Sequence, residues 1–145
     1  MAPKPERNST FAEELRRIAS IEDDEDIRTV IDLTLSTIGE FEVRSFDSGV
    51  NAIARISEFV EFDPQLILMD VMMPVMDGVQ TALRLQSYAR LRETPVVYMT
   101  AKAALSEIEK LYDQGAASVI SKPFDPMTLS GQLRAIWERR ASLLE

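Results

Sequence analysis

The sequence predicts an α/β domain, a doubly wound sheet of five parallel strands flanked by five helices. Three observations carry that expectation. Five short apolar runs of strand length recur along the chain, at 17–21, 41–46, 65–69, 96–99 and 118–121. The segments between and after them space their apolar residues three and four apart, as amphipathic helices do. Strands that alternate with helices pair in parallel through right-handed crossovers, which puts helices on both faces of a single sheet. The 145 residues match one domain of about 100–200 residues and leave nothing over for a second.

Residues 1–14 read as an N-terminal tail and 15–145 as the domain, because the first ten residues are polar and Pro-rich. Thr10-Phe11-Ala12-Glu13 has capping-box spacing and predicts one short extra helical turn. After the first strand, Ile27, Val30/Ile31, Thr34 and Ile38 form a helical stripe closed by Gly39, where a cap glycine belongs. Ala52, Ile53, Ile56 and Val60 form the second helix, and Val79, Ala82/Leu83 and Gln86 a weaker third that opens after the turn Asp77-Gly78. Leu105, Ile108 and Leu111/Tyr112 form the fourth, ended by Gly115. Leu129, Leu133, Ile136/Trp137 and Leu144 mark the fifth, with Pro126 near its first turn. Pro64, Pro95 and Gly115 punctuate three of the strands.

Composition removes several classes of chemistry. Without cysteine there is no disulfide framework and no thiolate zinc site. Without histidine there is no Ser-His or Cys-His nucleophile pair, no His-ligated metal and no histidine phosphocarrier within this chain. A net charge of −8 opposes binding to a nucleic-acid backbone, which needs Lys and Arg to displace counterions. The longest uncharged apolar stretches, 66–69 and 96–99, fall far short of the about 20 residues of a membrane span. The first seven residues have no apolar core of a secretory signal, so a soluble, cytoplasmic protein is expected.

In open α/β sheets ligands gather beyond the carboxyl ends of the strands, so the residue that ends each strand matters most. Strand 1 runs into Glu22-Asp23-Asp24, strand 3 into Asp70, strand 4 into Thr100 and small Ala101, and strand 5 into Lys122-Pro123. Carboxylates gathered on one rim cannot all stay ionised at low cost unless a cation neutralises them. Oxygen ligands without His or Cys select Mg²⁺ or a similar hard ion, which keeps coordination positions open for phosphate oxygens. A lysine ammonium and a threonine hydroxyl suit the remaining phosphoryl oxygens. A carboxylate that attacks phosphorus forms an aspartyl phosphate.

Four segments carry a resemblance to a known family: 21–28 (IEDDEDIR), 66–78 (LILMDVMMPVMDG), 95–101 (PVVYMTA) and 121–124 (SKPF). In this order and at this spacing they resemble the receiver domain of two-component response regulators, over about residues 15–142. The resemblance implies a flavodoxin-like receiver fold with strand order 2-1-3-4-5. It implies Asp70 as phospho-acceptor, Asp23 as direct metal ligand, Glu22 as a second acid acting through water, and the Met72 backbone carbonyl as a further ligand of Mg²⁺. Glu22/Asp23 is preferred to Asp23/Asp24 because Arg28 then falls five residues after the ligand, as the family pattern has it. Thr100, Ala101 and Lys122 are implied at the phosphoryl oxygens, with a cis bond before Pro123. The implied partners are a histidine kinase or histidine phosphotransfer protein as donor and a downstream protein target, with no nucleic acid and no membrane. The implied output surface is the fourth predicted helix, the fifth strand and the last helix.

Two departures from the family pattern stand out. The position three residues before the lysine, often Tyr or Phe, is Val119, so the switch runs through helix and backbone shifts or through another aromatic such as Tyr98. Gly115-Ala116-Ala117-Ser118 lacks the paired acids of relatives that dimerise through this region, so a monomer or weak homodimer is expected. An aspartate-nucleophile phosphatase would need an acid at the position of Met72, and a nucleotide-binding fold a Gly-rich turn after strand 1. A degenerate receiver that acts as a phosphorylation-independent scaffold is the alternative that Val119 favours. The sequence leaves open a stand-alone regulator or a receiver from a longer protein. Plainer roles are expected for the methionines and Trp137 (packing), Lys102 (a solvated charge) and Arg134, Arg139 and Arg140 (a solvated helix end).

Overall fold

The computed structural model describes residues 13–102 and 104–144. Five strands form one parallel sheet in the order β2-β1-β3-β4-β5: β1 (Arg17–Ile21), β2 (Glu42–Phe46), β3 (Leu66–Asp70), β4 (Val96–Thr100) and β5 (Ser118–Ser121). The doubly wound class and the strand order expected from the sequence are both present. The α-helices number six among the described residues: α1 (Glu25–Leu33), α2 (Gly49–Ala54), α3 (Ile56–Phe62), α4 (Gly78–Gln86), α5 (Leu105–Asp113) and α6 (Leu129–Leu144).

The sixth helix corrects the expectation of five. The stripe Ala52, Ile53, Ile56, Val60 is divided at Arg55, whose φ of −106° and ψ of 34° interrupt the helix. Hydrogen bonding runs through the interruption, from Arg55 N–H to Asn51 O at 2.9 Å and from Phe59 N–H to Arg55 O at 3.0 Å. The apolar spacing therefore continues unbroken, which is why it suggested one helix. The Arg55 side chain lies 4.7 Å from the Phe46 ring centroid and bonds Glu58, contacts that hold it at the bend.

Two cores sit on the two faces of the sheet, sorted by the period-two alternation of strand side chains. Ile18, Leu66, Leu68, Val97 and Met99 face Ile31 and Leu35 from the first helix and Leu129, Leu133, Ile136 and Trp137 from α6. Ala19, Ile21, Ile67, Met69, Val96 and Tyr98 face α2 to α5 through Ala52, Phe59, Ala82, Leu85 and Leu111. With both faces covered, β3 and β4 are buried at every position, which produces their uniformly apolar runs.

Several boundaries follow local chemistry. Asp24 caps α1 by accepting from Ile27 N–H, and Asp77 with Gln80 forms a capping box at α4. The first helix ends in a π-helical turn, Thr34–Ile38. Gly39 is not the left-handed cap residue expected: its φ is −79°, and Glu40 takes φ 57° instead. Glycine is required at 39 by close approach, since a Cβ there would lie 2.6 Å from both Phe41 and Ser130 Oγ. Gly115 is left-handed, with φ 99°.

Strands 2, 3 and 4 differ by one residue from their expected bounds. Gln65, read as the first residue of β3, is instead a buried clasp: its Oε1 accepts from Arg16 and Arg17 N–H at 2.7 and 2.9 Å. Its Nε2 donates to Glu14 O at 2.9 Å, and Trp137 Nε1 donates to Glu13 O at 2.9 Å. Glu13 and Glu14, assigned to the tail by sequence, are thus tied to the body of the protein. The helical turn expected after Thr10 falls outside the described residues apart from Glu13. Arg134 corrects the solvated reading of the last helix, because it stacks 4.5 Å from the Phe41 ring centroid and donates to Gly39 O.

Candidate functional site

The register brings the strand ends into one row. Ile21 pairs with Met69, Asp70 with Met99 and Thr100 with Ser121, so the residues following β1, β3, β4 and β5 emerge side by side at the carboxyl edge. Carboxylate oxygens of Glu22, Asp23 and Asp70 all lie within 4.8 Å of one another. Glu22 is 1% exposed and Asp70 5%, whereas Asp23 faces solvent. Lys122 reaches in from beyond β5, with Nζ 2.8 Å from Glu22 Oε1 and 3.1 Å from Asp70 Oδ1. The Lys122-Pro123 bond is cis.

Backbone donors hold the acids. Asp24 N–H donates to Glu22 Oε2 at 3.1 Å, and Met72 N–H to Asp70 Oδ1 at 3.3 Å. Asp24 itself is committed to capping α1 and lies outside the acidic cluster. Met72 sits on the rim, more than half exposed, two residues past Asp70.

Three carboxylates against one ammonium leave a surplus of negative charge. The Asp70 carboxyl is pushed up to about 7 by burial first, then by Asp23 and Glu22, with Lys122 pulling it down. Burial alone would lower the Lys122 ammonium, but Glu22 and Asp70 outweigh it and its pKa is raised. An all-oxygen donor set with unneutralised charge and one acid open to solvent fits a small hard cation such as Mg²⁺.

Thr100 is buried at the same edge, beside exposed Ala101. Its hydroxyl accepts from Lys102 N–H at 3.0 Å and is engaged with its own loop. Val119 is partly buried and pairs in register with Tyr98, whose ring is 2% exposed. The Tyr98 hydroxyl is raised to about 12 by burial and then by Asp77.

Two features were not anticipated. Lys122 pairs with Glu22 as well as with Asp70. Arg28 Nη1 donates to Glu22 O at 2.9 Å and to Asp23 O at 3.4 Å. The signal for the second was present, as an arginine five and six residues after the acids on the first turn of a helix.

A parallel sheet ordered 2-1-3-4-5, with acids and a lysine converging at its carboxyl edge, defines a class of doubly wound proteins whose site lies where the strand order reverses. Within that class the chain belongs to the response regulator receiver domain family, whose sequence pattern matches residues 18–134. It is 31% identical over 120 residues to the response regulator Rre1 of Synechocystis, covering 83% of this chain and 51% of Rre1. It is 32% identical over 126 residues to the phosphate regulon transcriptional regulatory protein PhoB of Escherichia coli, covering 86% of this chain and 52% of PhoB. The chain thus spans about half the length of these two curated relatives. It resembles the Vibrio cholerae chemotaxis protein CheY4 with a TM-score of 0.74 at 25% identity, over 84% of this chain and 98% of that one. Among the described residues no helix is long and apolar enough to cross a membrane.

Proposed function

We propose that this receiver accepts a phosphoryl group on Asp70 and relays its phosphorylation state to a protein target. The observation that supports the reading best is the position of Asp70. It is a buried strand-end carboxylate, with Oδ1 3.1 Å from a lysine ammonium and two further acids within 4.8 Å. The donor is a histidine kinase or a histidine phosphotransfer protein. An oxygen of Asp70 attacks phosphorus, the phosphorus–nitrogen bond of the donor's phosphohistidine breaks, and the electron pair leaves with its imidazole.

Asp23, Asp70, the Met72 carbonyl and Glu22 (through water) are the residues that would hold Mg²⁺. Bound there, it supplies charge neutralisation to the acids and to the phosphoryl oxygens. Lys122 and Thr100 donate to those oxygens, and Ala101 leaves room for them. Thr100 must redirect the O–H that it donates to Lys102 O toward the phosphoryl group, which reorders the loop into α5 and alters the α5–β5–α6 surface. The acyl phosphate hydrolyses and resets the protein, so the chemistry is self-modification rather than turnover of an external substrate.

Intact mass after incubation with acetyl phosphate and Mg²⁺ tests this, beside Asp70→Asn and EDTA controls. A hydroxylamine-labile gain of about 80 Da that needs both Asp70 and the metal is expected for one acyl phosphate. If no adduct forms and beryllofluoride does not bind, the phosphorylation-independent scaffold favoured by Val119 replaces this reading.

A further inference from the structure

We propose that Arg28 is a positioning residue for the acidic site: it clamps the β1–α1 turn so that Glu22 and Asp23 converge on Asp70, and Asp32 steadies it from behind. The inference rests on the reading of Glu22 and Asp23 as the acids that hold a cation. Three carboxylates within 4.8 Å of one another repel, and without restraint the turn that carries two of them would splay. Glu22 is restrained by its own N–H bond to Phe46 O at 3.1 Å and by the Asp24 amide on its carboxylate. Asp23 is exposed, so the path of its main chain decides where its carboxylate stands. The Arg28 guanidinium supplies that restraint by donating to the carbonyls of both residues, at 2.9 and 3.4 Å.

One nitrogen shared between consecutive carbonyls fixes the orientation of two peptide groups at once. It also brings a positive charge to the carbonyl end of β1, close to the crowded acids. Arg28 and Asp32 are four residues apart on α1 and share one face of the helix. Burial raises the half-buried Asp32 carboxyl above its ordinary range, and Ser45 and the Arg28 charge offset part of that rise. The support we infer therefore runs from Asp32 through Arg28 to the backbone of the two acids. Outer groups that orient ligands in this manner alter metal affinity by about 10–100-fold when removed.

The test is calorimetric titration with Mg²⁺ of the wild type, R28M, R28K, D32N, R28M/D32N, D23N and R92M, paired with urea unfolding of each in EDTA. Arg92 is exposed and precedes β4, at the opposite end of the sheet, so R92M removes the same charge without touching the turn. R28M is expected to weaken Mg²⁺ binding about tenfold relative to R92M. R28K keeps the charge but not the shared geometry and is expected to recover part of that loss. D32N should weaken binding in the wild-type background and add nothing in R28M. Should R28M not fold in EDTA, losses in R28K and D32N decide the matter, and wild-type affinity in both overturns the proposal. Equal affinities for R28M and R92M, or an undiminished D32N effect in R28M, overturn it as well. A wild type that takes up no Mg²⁺, or a D23N that binds as tightly as wild type, instead overturns the assignment of the acids.

Discussion

Replacing Asp70 with asparagine is expected to stabilise the metal-free protein at and above neutral pH, although it deletes the residue on which the proposed function depends. The Asp70 carboxyl is displaced from an ordinary 3.8 up to about 7, by burial first and then by Asp23 and Glu22. A carboxyl with a folded-state pKa above its unfolded one holds its proton more tightly in the native state, so stability falls as pH rises between the two values. The cost is absent below about pH 4 and complete above about pH 7. At about 1.4 kcal/mol per pH unit, that gap sets a ceiling of about 4 kcal/mol. Lys122 is already included in the displacement, and water at exposed Asp23 relieves part of the repulsion, so about 2 kcal/mol is the working magnitude.

Asparagine fills the same space and cannot ionise. Urea unfolding in EDTA from about pH 4 to pH 8 should show no advantage for Asp70→Asn at the acid end and about 2 kcal/mol at the alkaline end. Saturating Mg²⁺ should narrow the difference, because it binds the native wild type more tightly than the variant. A variant less stable than wild type at pH 8, or an advantage that does not change with pH, would refute the charge argument.

Three further predictions concern the supports of the site and fold. Lys122→Met strips the ammonium from Glu22 and Asp70 and should cost about 3 kcal/mol in EDTA at pH 8, with a smaller loss at pH 5 where Asp70 takes up a proton; urea unfolding at both pH values checks this. Val75 is a β-branched residue held at φ 69° with 92% of its surface exposed, so Val75→Gly relieves strain and gives up little burial. The expected gain is about 1 kcal/mol, read as a rise in Tm by calorimetry, and a fall in Tm would contradict it. Gln65→Ala leaves the Arg16 and Arg17 amides and Glu14 O without their partner and should cost about 2–3 kcal/mol by the same urea assay.

Most of the fold was legible because burial on both faces makes a parallel strand read as a run rather than an alternation, and the helices between such runs carry their own period. Most of what escaped the reading depends on contacts that no single segment displays. Arg55 bends its helix through the Phe46 ring, yet the hydrogen-bond ladder and the apolar stripe both pass through the bend. Gly39 looked like a cap glycine, but the space it yields to the Phe41 ring two residues on and to Ser130 of α6 explains it. Gln65 looked like the edge of a strand because nothing in a single segment shows that its amide closes over the chain 49 residues earlier. Left-handed Val75 defeats local propensity altogether, since valine is among the residues least suited to that conformation.

The candidate site was more legible than the loops around it, because the rule that ligands gather at strand ends needs only the last residue of each strand. That rule brings Glu22, Asp23, Asp70, Thr100 and Lys122 to one edge, and the register does the same. It says nothing about pairing, and so neither the Lys122–Glu22 contact nor the Arg28 clamp could be read from it. The same distinction bears on Val119, which in sequence is only a missing aromatic. Register adds that Val119 stands beside Tyr98, and Tyr98 lies two residues before Thr100 on the same face of β4. A shift of Thr100 toward a phosphoryl group therefore bears directly on the strand that carries a ring 2% exposed, with Val119 as its neighbour on β5. On that geometry we propose that the switch moves through β4, where Val119 rather than a second ring stands beside Tyr98.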